Sequence, residues 1–337
     1  MDKRTMRRTD KEEYSTVTKT RVRKRGFIIL GIFALLAIML LYIFFSFRSG
    51  LNIAKENGVE NSGEEFNPID NHDGKKTIMI IGKDRMDEGA ERTDVIMLGQ
   101  YDYMQKEMKL VSVMRDIYVD IPGYQSYKIN AVYSLGGVEL LREVIAHNFD
   151  VNVEEYVTVD YDAFMETVNV VNPNGVTIDV EKDMSEKIDT ELKQGEQQLN
   201  GKDLLAYARF RNDKEGDFGR VRRQQQVLSA IQDEIISIGG IVKLPKILGT
   251  GLGYVDTSMS NKEMYRMIMS FMIRGDKDIA TMTLPLDNTY QFMDTSHTGN
   301  VIDMDFEANN AALKEFLNKS ARKENEESSE SSTDENM

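Results

Sequence analysis

A chain of 337 residues, 41% of them hydrophobic, is long enough for one large domain or two small ones and apolar enough to build a core. Its formal net charge of −14 argues against general nucleic-acid binding, because phosphate neutralisation needs a basic face. The absence of cysteine excludes disulfides, thiolate-ligated metals and thiol catalysis, and an exported domain held together by its core alone fits a Gram-positive surface.

Met1 to Arg25 is basic, with Arg21, Arg23, Lys24 and Arg25 crowded against the run that follows. Gly26 to Phe47 carries no charge, and about 20 such residues cross the hydrocarbon core of a bilayer. The run is too long for the apolar part of a cleaved signal peptide, and Arg48 follows it where a small-residue cleavage site would be needed. The positive-inside rule predicts a cytoplasmic tail over 1–25, a transmembrane signal anchor over 26–47 and an extracellular remainder, a single-pass type II arrangement in the cell membrane. Residues 48–75, rich in Asn, Gly, Glu and Asp, read as a linker holding the domain off the membrane. The folded domain is expected over 76–318. The Ser/Glu tail, 319–337, buries too little apolar surface to fold.

Within the domain, strand-length apolar runs alternate with helical patterns. Thr77 to Ile81 and Asp94 to Leu98 read as buried strands, followed by Met108 to Val113 and by Ile117 to Ile121, which Pro122-Gly123 ends. Val138 to Phe149 has helical spacing. Strands Tyr156–Val159 and Val176–Val180 flank a helix over Tyr161–Val171. Asn200 to Tyr207 and Val221 to Ile238 read as helices, the second closed by Gly239-Gly240 as a C-cap. A helix over Asn261–Ile273 and a strand over Ala280–Leu284 complete the order. It predicts an α/β domain, a layered α-β-α arrangement with a mixed central sheet, preceded by one transmembrane helix.

Three segments carry unusual polar density. Gly82 to Asp94 joins the end of one strand to the start of the next, where open α/β sheets place ligands. It offers Asp84 and Asp94 as hard oxygen ligands beside Arg85 and Arg92, a set suited to Mg²⁺ (or Mn²⁺) bridging a polyphosphate; an ordinary charged loop is the alternative. Val113-Met-Arg-Asp-Ile-Tyr118 presents Arg115, with Lys128 shortly after, and reads equally as a hairpin turn with solvated charges. The third is Leu199 to Gln226, which gathers Arg209, Arg211, Arg220, Arg222 and Arg223 in an acidic protein, almost to the exclusion of Lys. Guanidinium forks grip phosphate oxygens in bidentate geometry. Arg220 shares a helix face with both Arg223 and Gln224. The alternative is a solvated face paired with Asp203, Asp213, Glu215 and Asp217. His72, His147 and His297 lie outside these clusters, which disfavours Ser-His-Asp hydrolysis and His-based zinc chemistry.

These pieces, in order, are IIGKDR…ERTDVIML, SVMRDIYVDIPG, KINAVYSLGG, NGVTIDV and LNGKDLLAYARFRNDKEGDFGRVRRQQ. From about Lys76 to Ile238 the chain resembles the LytR–CpsA–Psr family of bacterial cell-envelope phosphotransferases. The resemblance implies Mg²⁺-dependent transfer of a glycopolymer, of teichoic-acid or capsule type, from an undecaprenyl-pyrophosphate-linked carrier to a hydroxyl of peptidoglycan. It implies Asp84 and Asp94 as metal ligands, and Arg92, Arg115 and Asp217 as catalytic residues. Arg85, Lys128, Arg209, Arg211, Arg220, Arg223 and Gln224 are then the pyrophosphate-binding set. Three departures stand out: Met114 precedes the Arg-Asp pair where the family often has Pro, Asn172 and Asn174 interrupt a motif common in the family, and Arg85 directly follows Asp84 where the family often has a spacer. A long lipid needs an apolar groove, for which Phe164, Met165, Val168 and the helix from Val227 to Ile238 are available, though ordinary core packing explains them too. Twenty methionines suit a deformable lipid pocket and are equally common as gap-fillers. Two other readings stay open: a polyprenyl pyrophosphate hydrolase with water as acceptor, and a non-catalytic membrane-anchored binder or regulator. A tail of about 25 residues is too short for a DNA-binding domain.

Overall fold

The structure, a computed structural model, describes residues 30–53, 63–71, 73–85, 91–274 and 279–319; the side chains of residues 84, 85, 91, 92, 238 and 272–274 are outside the described atoms. In chain order the elements are helix α1 (Leu30–Ile53), strands β1 (Lys75–Arg85), β2 (Glu91–Asp102), β3 (Glu107–Val113), β4 (Tyr118–Val119) and β5 (Tyr127–Lys128), and helix α2 (Val132–Phe149). Strand β6 (Glu155–Asp160) leads into α3 (Tyr161–Val171), then β7 (Val176–Val180), β8 (Gly195–Leu199), α4 (Gly201–Arg209), α5 (Gly216–Ile236) and α6 (Ile238–Tyr254). The chain continues through β9 (Asp256–Thr257), α7 (Asn261–Arg274), β10 (Ala280–Leu284), β11 (Tyr290–Thr295), β12 (Gly299–Met304) and α8 (Phe306–Asn318).

Six strands form one mixed sheet in the order β10-β3-β2-β1-β6-β9. The β1–β6 and β3–β10 pairs are parallel and the others antiparallel. Period-two alternation divides β1 between two cores. Met79 and Ile81 point into the larger core with Leu141, Val144 and Ile145 of α2 and Leu313 of α8. Ile78 and Ile80 point the other way, against Met264 and Met267 of α7. Burial on both faces is why β1 reads as an unbroken apolar run. A third core joins the β7–β8 hairpin to α3, α4 and α5 through Val168, Val176, Leu204, Tyr207 and Val227. This is the layered α-β-α arrangement with a mixed sheet that the sequence predicted.

Helix starts are capped where the chain must turn sharply beside the sheet edge. Asp160 accepts a hydrogen bond from the Ala163 amide at 2.7 Å and opens α3. Asn200 accepts from the Asp203 amide at 3.1 Å and opens α4.

Several expectations need correcting. The strand predicted over Ile117–Ile121 shrinks to β4, which pairs with β5 while Ile117 bridges Ile302. Its alternating apolar residues are buried, but the ladder beside them is too short to extend it. Gly239-Gly240 is not a C-cap. The helix breaks at Ser237, which caps α6 by accepting from the Gly240 amide at 3.0 Å. Gly240 is small because a Cβ there would collide with the carbonyls of Glu234 and Ile235. The linker expected from residue 48 begins as helix, since α1 runs on to Ile53, where it packs against Val159, Ala163 and Tyr254. Residues 63–71 lie on the domain: Phe66 packs edge-on to Tyr156 at 5.0 Å, and Glu64 accepts from Tyr133 Oη at 2.5 Å. Residues 26–29 of the predicted span and nearly all of the C-terminal tail lie outside the described residues.

Candidate active site

The carboxyl ends of β1, β3 and β6 share one edge of the sheet, because β1 and β6 are parallel and β2 runs antiparallel between β1 and β3. This is the edge where open α/β sheets place ligands. Here the β1–β2 ladder slips: Gly82 pairs with Val95 and Lys83 with Thr93, leaving Asp94 as the extra residue of a bulge. A bulge re-aims the side chain it carries, and Asp94 is turned toward the end of β3. Arg115 meets it there, in a loop whose backbone is tied down by bonds from the Asn130 amide to the Arg115 carbonyl (3.2 Å) and from the Ile129 amide to the Ile117 carbonyl (2.9 Å).

Arg115 Nη1 donates to Asp94 Oδ1 at 2.5 Å. Its Nε lies 3.4 Å from Asp217 Oδ1 and 3.6 Å from Asp116 Oδ2. From the first turns of α5, Arg220 Nη2 donates to Asp217 Oδ2 at 3.0 Å, and its Nη1 lies 3.6 Å from Asp94 Oδ1. Carboxylate and guanidinium therefore alternate around a closed ring: Asp94, Arg115, Asp217, Arg220. Tyr161 Oη donates to the second oxygen of Asp94 at 3.1 Å, and Lys128 Nζ to Asp116 at 2.8 Å.

The two ring carboxylates respond differently. Burial pushes the Asp94 carboxyl up, but Arg220 and Arg115 outweigh it and hold the group below the usual carboxylate range. For Asp217 burial dominates; Arg220 and Arg115 offset it only partly, and the group stays raised. Burial lowers Arg220, while Arg115 is raised because Asp217, Asp94 and Asp116 together exceed its own desolvation. Arg115 Nε, Arg220 Nε and Asp217 Oδ1 are buried without a hydrogen-bond partner.

The ring opens into a cavity of about 1040 Å³. Arg220, Gln224, Val227 and Leu228 form one stripe of α5 along its wall, spaced to share a helix face. The stripe is polar at its start and apolar at its end. Leu205, Ala208 and Arg209 of α4 line another side, with the Arg209 guanidinium 4.4 Å above the Tyr161 ring. Phe164 and Leu135 extend the apolar wall.

Of the residues singled out from sequence, Asp94, Arg115, Lys128, Arg209, Arg211, Arg220 and Gln224 line this one cavity. Asp217 stands behind it, contacting Arg115 and Arg220, and so acts as a positioning residue. Arg223 is turned away: it is fully buried, with Asp213 at 3.0 Å, Glu181 at 3.4 Å and a bond to the Phe210 carbonyl at 2.7 Å, and belongs to the fold. Asp84 lies on β1 opposite Arg92 in the ladder, but the side chains of Asp84, Arg85 and Arg92 are outside the described residues. Of the expected lipid-groove residues, Phe164, Val227 and Leu228 line the cavity, whereas Val168 packs into the third core and Met165 abuts Gly201. The buried methionines are spread over all three cores, and Met97 alone of the described methionines lines the cavity. Sequence reasoning missed Tyr161 and Asp116. Asp116 adjoins Arg115 in the quoted motif; Tyr161 gave no signal beyond its place at a helix start.

Among the described residues no group of three or more His, Cys, Asp or Glu side chains is arranged to hold a metal ion. Mg²⁺ needs only one or two carboxylates when phosphate oxygens complete its shell. Asp94 is the one described carboxylate of the expected ligand pair, and its two oxygens face Arg115 and Tyr161.

The profile of the LytR_cpsA_psr family matches residues 40–315. The chain is 45% identical over 279 residues to Regulatory protein MsrR of Staphylococcus aureus (strain COL), covering 83% of this chain and 85% of that protein. It is 34% identical over 235 residues to the polyisoprenyl-teichoic acid–peptidoglycan teichoic acid transferase TagV of Bacillus subtilis (strain 168), covering 64% of this chain and 60% of TagV. The crystal structure of B. subtilis TagV superposes with a TM-score of 0.61 at 31% identity, over 73% of this chain and 98% of that one.

Two outcomes test this geometry. Arg223→Ala leaves Asp213 and Glu181 facing a buried void and is expected to cost about 3–5 kcal/mol. Arg222→Ala removes a half-exposed pair with the same Glu181 and should cost under about 1 kcal/mol; urea midpoints followed by circular dichroism separate them. In a carboxyl-¹³C titration Asp217 should titrate at a higher pH than Asp94. The lowered Asp94 stabilises the fold above the ordinary carboxylate pKa and loses that contribution as pH falls through its folded value. The raised Asp217 has the opposite sign, favouring the fold at low pH and losing that effect as pH rises through its folded value. A reversed order of the two carboxyls would contradict the assignment.

Proposed function

We propose that this chain, which belongs to the LytR_cpsA_psr family, is a membrane-anchored transferase that moves a glycopolymer from an undecaprenyl-diphosphate carrier onto peptidoglycan. The observation that carries this reading is a single cavity with an arginine–carboxylate ring at one end and an apolar wall at the other. A lipid diphosphate has the same polarity along its length. The likeness to the teichoic acid transferase TagV, whose structure matches at 31% identity, supports the reaction class.

In the proposed reaction an acceptor hydroxyl oxygen forms a new bond to the glycan-bearing phosphorus. The bridging P–O bond breaks, its electron pair leaves with undecaprenyl phosphate, and the hydroxyl proton passes to solvent or a carboxylate. Phosphoryl transfer asks a protein chiefly for positioning and charge neutralisation. Arg115 and Arg220 are placed to hold the diphosphate, and Arg209 and Arg211 to guide it from the rim. Asp217 fixes the two central guanidiniums, and Lys128 is oriented by Asp116. Mg²⁺, held by Asp94 and by Asp84 on the neighbouring strand, would neutralise charge on the departing phosphate. The basic N-terminal flank and α1 support a type II orientation, with the domain on the cell-envelope side of the membrane.

A second reading, a regulator that binds the lipid without turnover, is favoured by the name of the 45%-identical MsrR. The full chain in micelles should bind a prenyl diphosphate in a divalent-cation-dependent manner. Arg115→Ala or Asp94→Ala should weaken that binding at least tenfold, since losing one partner of a desolvated charge pair costs about 2–5 kcal/mol. Unchanged affinity in both variants would remove the site assignment. Labelled lipid-linked glycan offered with peptidoglycan oligomers should yield labelled peptidoglycan. Label released into water only would indicate a hydrolase, and binding without any turnover the regulator.

A further inference from the structure

The last turns of α1 are built into the domain. Gly50 is buried, and a Cβ there would collide with the carbonyl of Lys246 and the amide of Thr250 on α6. Gly249 is its counterpart, since a Cβ there would collide with the carbonyl of Phe47. Small residues of this kind let two helix backbones touch. Nearer the start of α1, Tyr42 Oη donates to the Val242 carbonyl at 3.0 Å. Residue 42 thus meets 242, and 47–50 meet 246–250. The two helices run side by side in the same direction, and the start of α6 points back along α1.

Tyr42 lies inside the uncharged run, six positions before Arg48, which is about 9 Å along a helix. The start of α6 reaches that depth. Ile241 and Val242 are 52% and 56% exposed there. Lys246, beside Gly50 in the helix contact, stands near the height of Arg48, where ammonium groups meet anionic headgroups, while Lys243 turns into the domain and donates to the Val171 carbonyl at 3.4 Å. Interfacial segments bury their apolar face about 5–10 Å deep, the depth inferred here. The corner between α5 and α6, bent by 112°, satisfies part of its own backbone. Ser237 Oγ donates to the Glu234 carbonyl at 2.7 Å and accepts from the Gly240 amide at 3.0 Å, as an apolar medium requires. Glu234, one turn earlier on α5, is satisfied within the domain, accepting from Asn172 Nδ2 at 3.1 Å.

We propose that the start of α6, led by Ile241 and Val242, is inserted in the bilayer leaflet on the domain's side of the membrane, against α1, as a second and non-spanning membrane contact. The occupant of this apolar surface is the leaflet, because α6 is bonded there to a residue of the span. The insertion has a consequence that rests on the function proposed above. With α6 beside α1 and a 112° bend before it, α5 lies closer to the membrane plane than to its normal. Arg220 is then held near headgroup level, and Val227 and Leu228 lie between it and the leaflet. A carrier lipid is then gripped by its diphosphate, with the nearest isoprene units against the apolar wall of the cavity and the rest of its chain in the leaflet.

The chain contains neither tryptophan nor cysteine, so single reporters are unambiguous. Val242→Trp in the full chain, reconstituted into phosphatidylglycerol–phosphatidylethanolamine vesicles, should emit at blue-shifted wavelength. It should be quenched several-fold more by acyl-brominated lipid than by aqueous iodide. Met104→Trp, 85% exposed on the β2–β3 turn at the far end of the sheet, should show the reverse. Ile241→Cys should resist a membrane-impermeant maleimide that labels Met104→Cys on the same molecules' accessible side. A water-like emission from Val242→Trp with iodide quenching equal to that at Met104, or full labelling of Ile241→Cys, would overturn the proposal. Neither readout depends on lipid diphosphate binding, so this insertion and the proposed reaction fail separately.

Discussion

Everything at the candidate site depends on keeping Arg115 and Arg220 charged in a place that burial disfavours. Two guanidiniums side by side repel and lose hydration, and Arg220 is nearly inaccessible to water. The alternation with Asp94 and Asp217 resolves this, because each cation has an anion on either side. Arg220 Nε has no hydrogen-bond partner, and Arg115 Nε meets Asp217 Oδ1 only at ion-pair distance, 3.4 Å. A bound diphosphate offers the acceptors that the two carboxylates do not.

The fold supplies this ring through three local devices. A β-bulge turns Asp94 out of the ladder. A loop tied to the 129–131 turn fixes the backbone of Arg115. The start of α5 carries Asp217 and Arg220 one turn apart, so the pair is already joined before it meets the sheet. The same helix then continues into Val227 and Leu228, which makes the polarity of the cavity a property of one stripe. The cavity, the α5–α6 corner and α1 are therefore mechanically continuous, and α1 ends against Val159 and Ala163 beside the cavity wall.

Much of this was legible in the sequence, for reasons that also explain the failures. Strands β1, β2 and β3 were recognisable because burial on both faces forces apolar runs, whereas β6 is buried at alternate residues. The β8 strand, GEQQL, was not, since its outer face is exposed and it carries no β-branched residue. Arg220 and Gln224 announced themselves by spacing, but the same spacing misassigned Arg223. Residues three apart share a face only broadly, and Asp213 and Glu181, brought in from other elements, decide which way Arg223 turns. Gly239-Gly240 carried the composition of a helix end but serves close packing at a helix start, with the break made by Ser237. The bulge at Asp94 depends on two strands at once and has no signature in either.

The most direct measurement is a crystal structure of the chain with a short prenyl diphosphate and Mg²⁺. The account predicts phosphate oxygens within hydrogen-bond distance of both Arg115 and Arg220, with the Asp94–Arg115 contact loosened and the isoprene units against Phe164, Val227 and Leu228. A diphosphate bound elsewhere, with the ring of four side chains undisturbed, would contradict it.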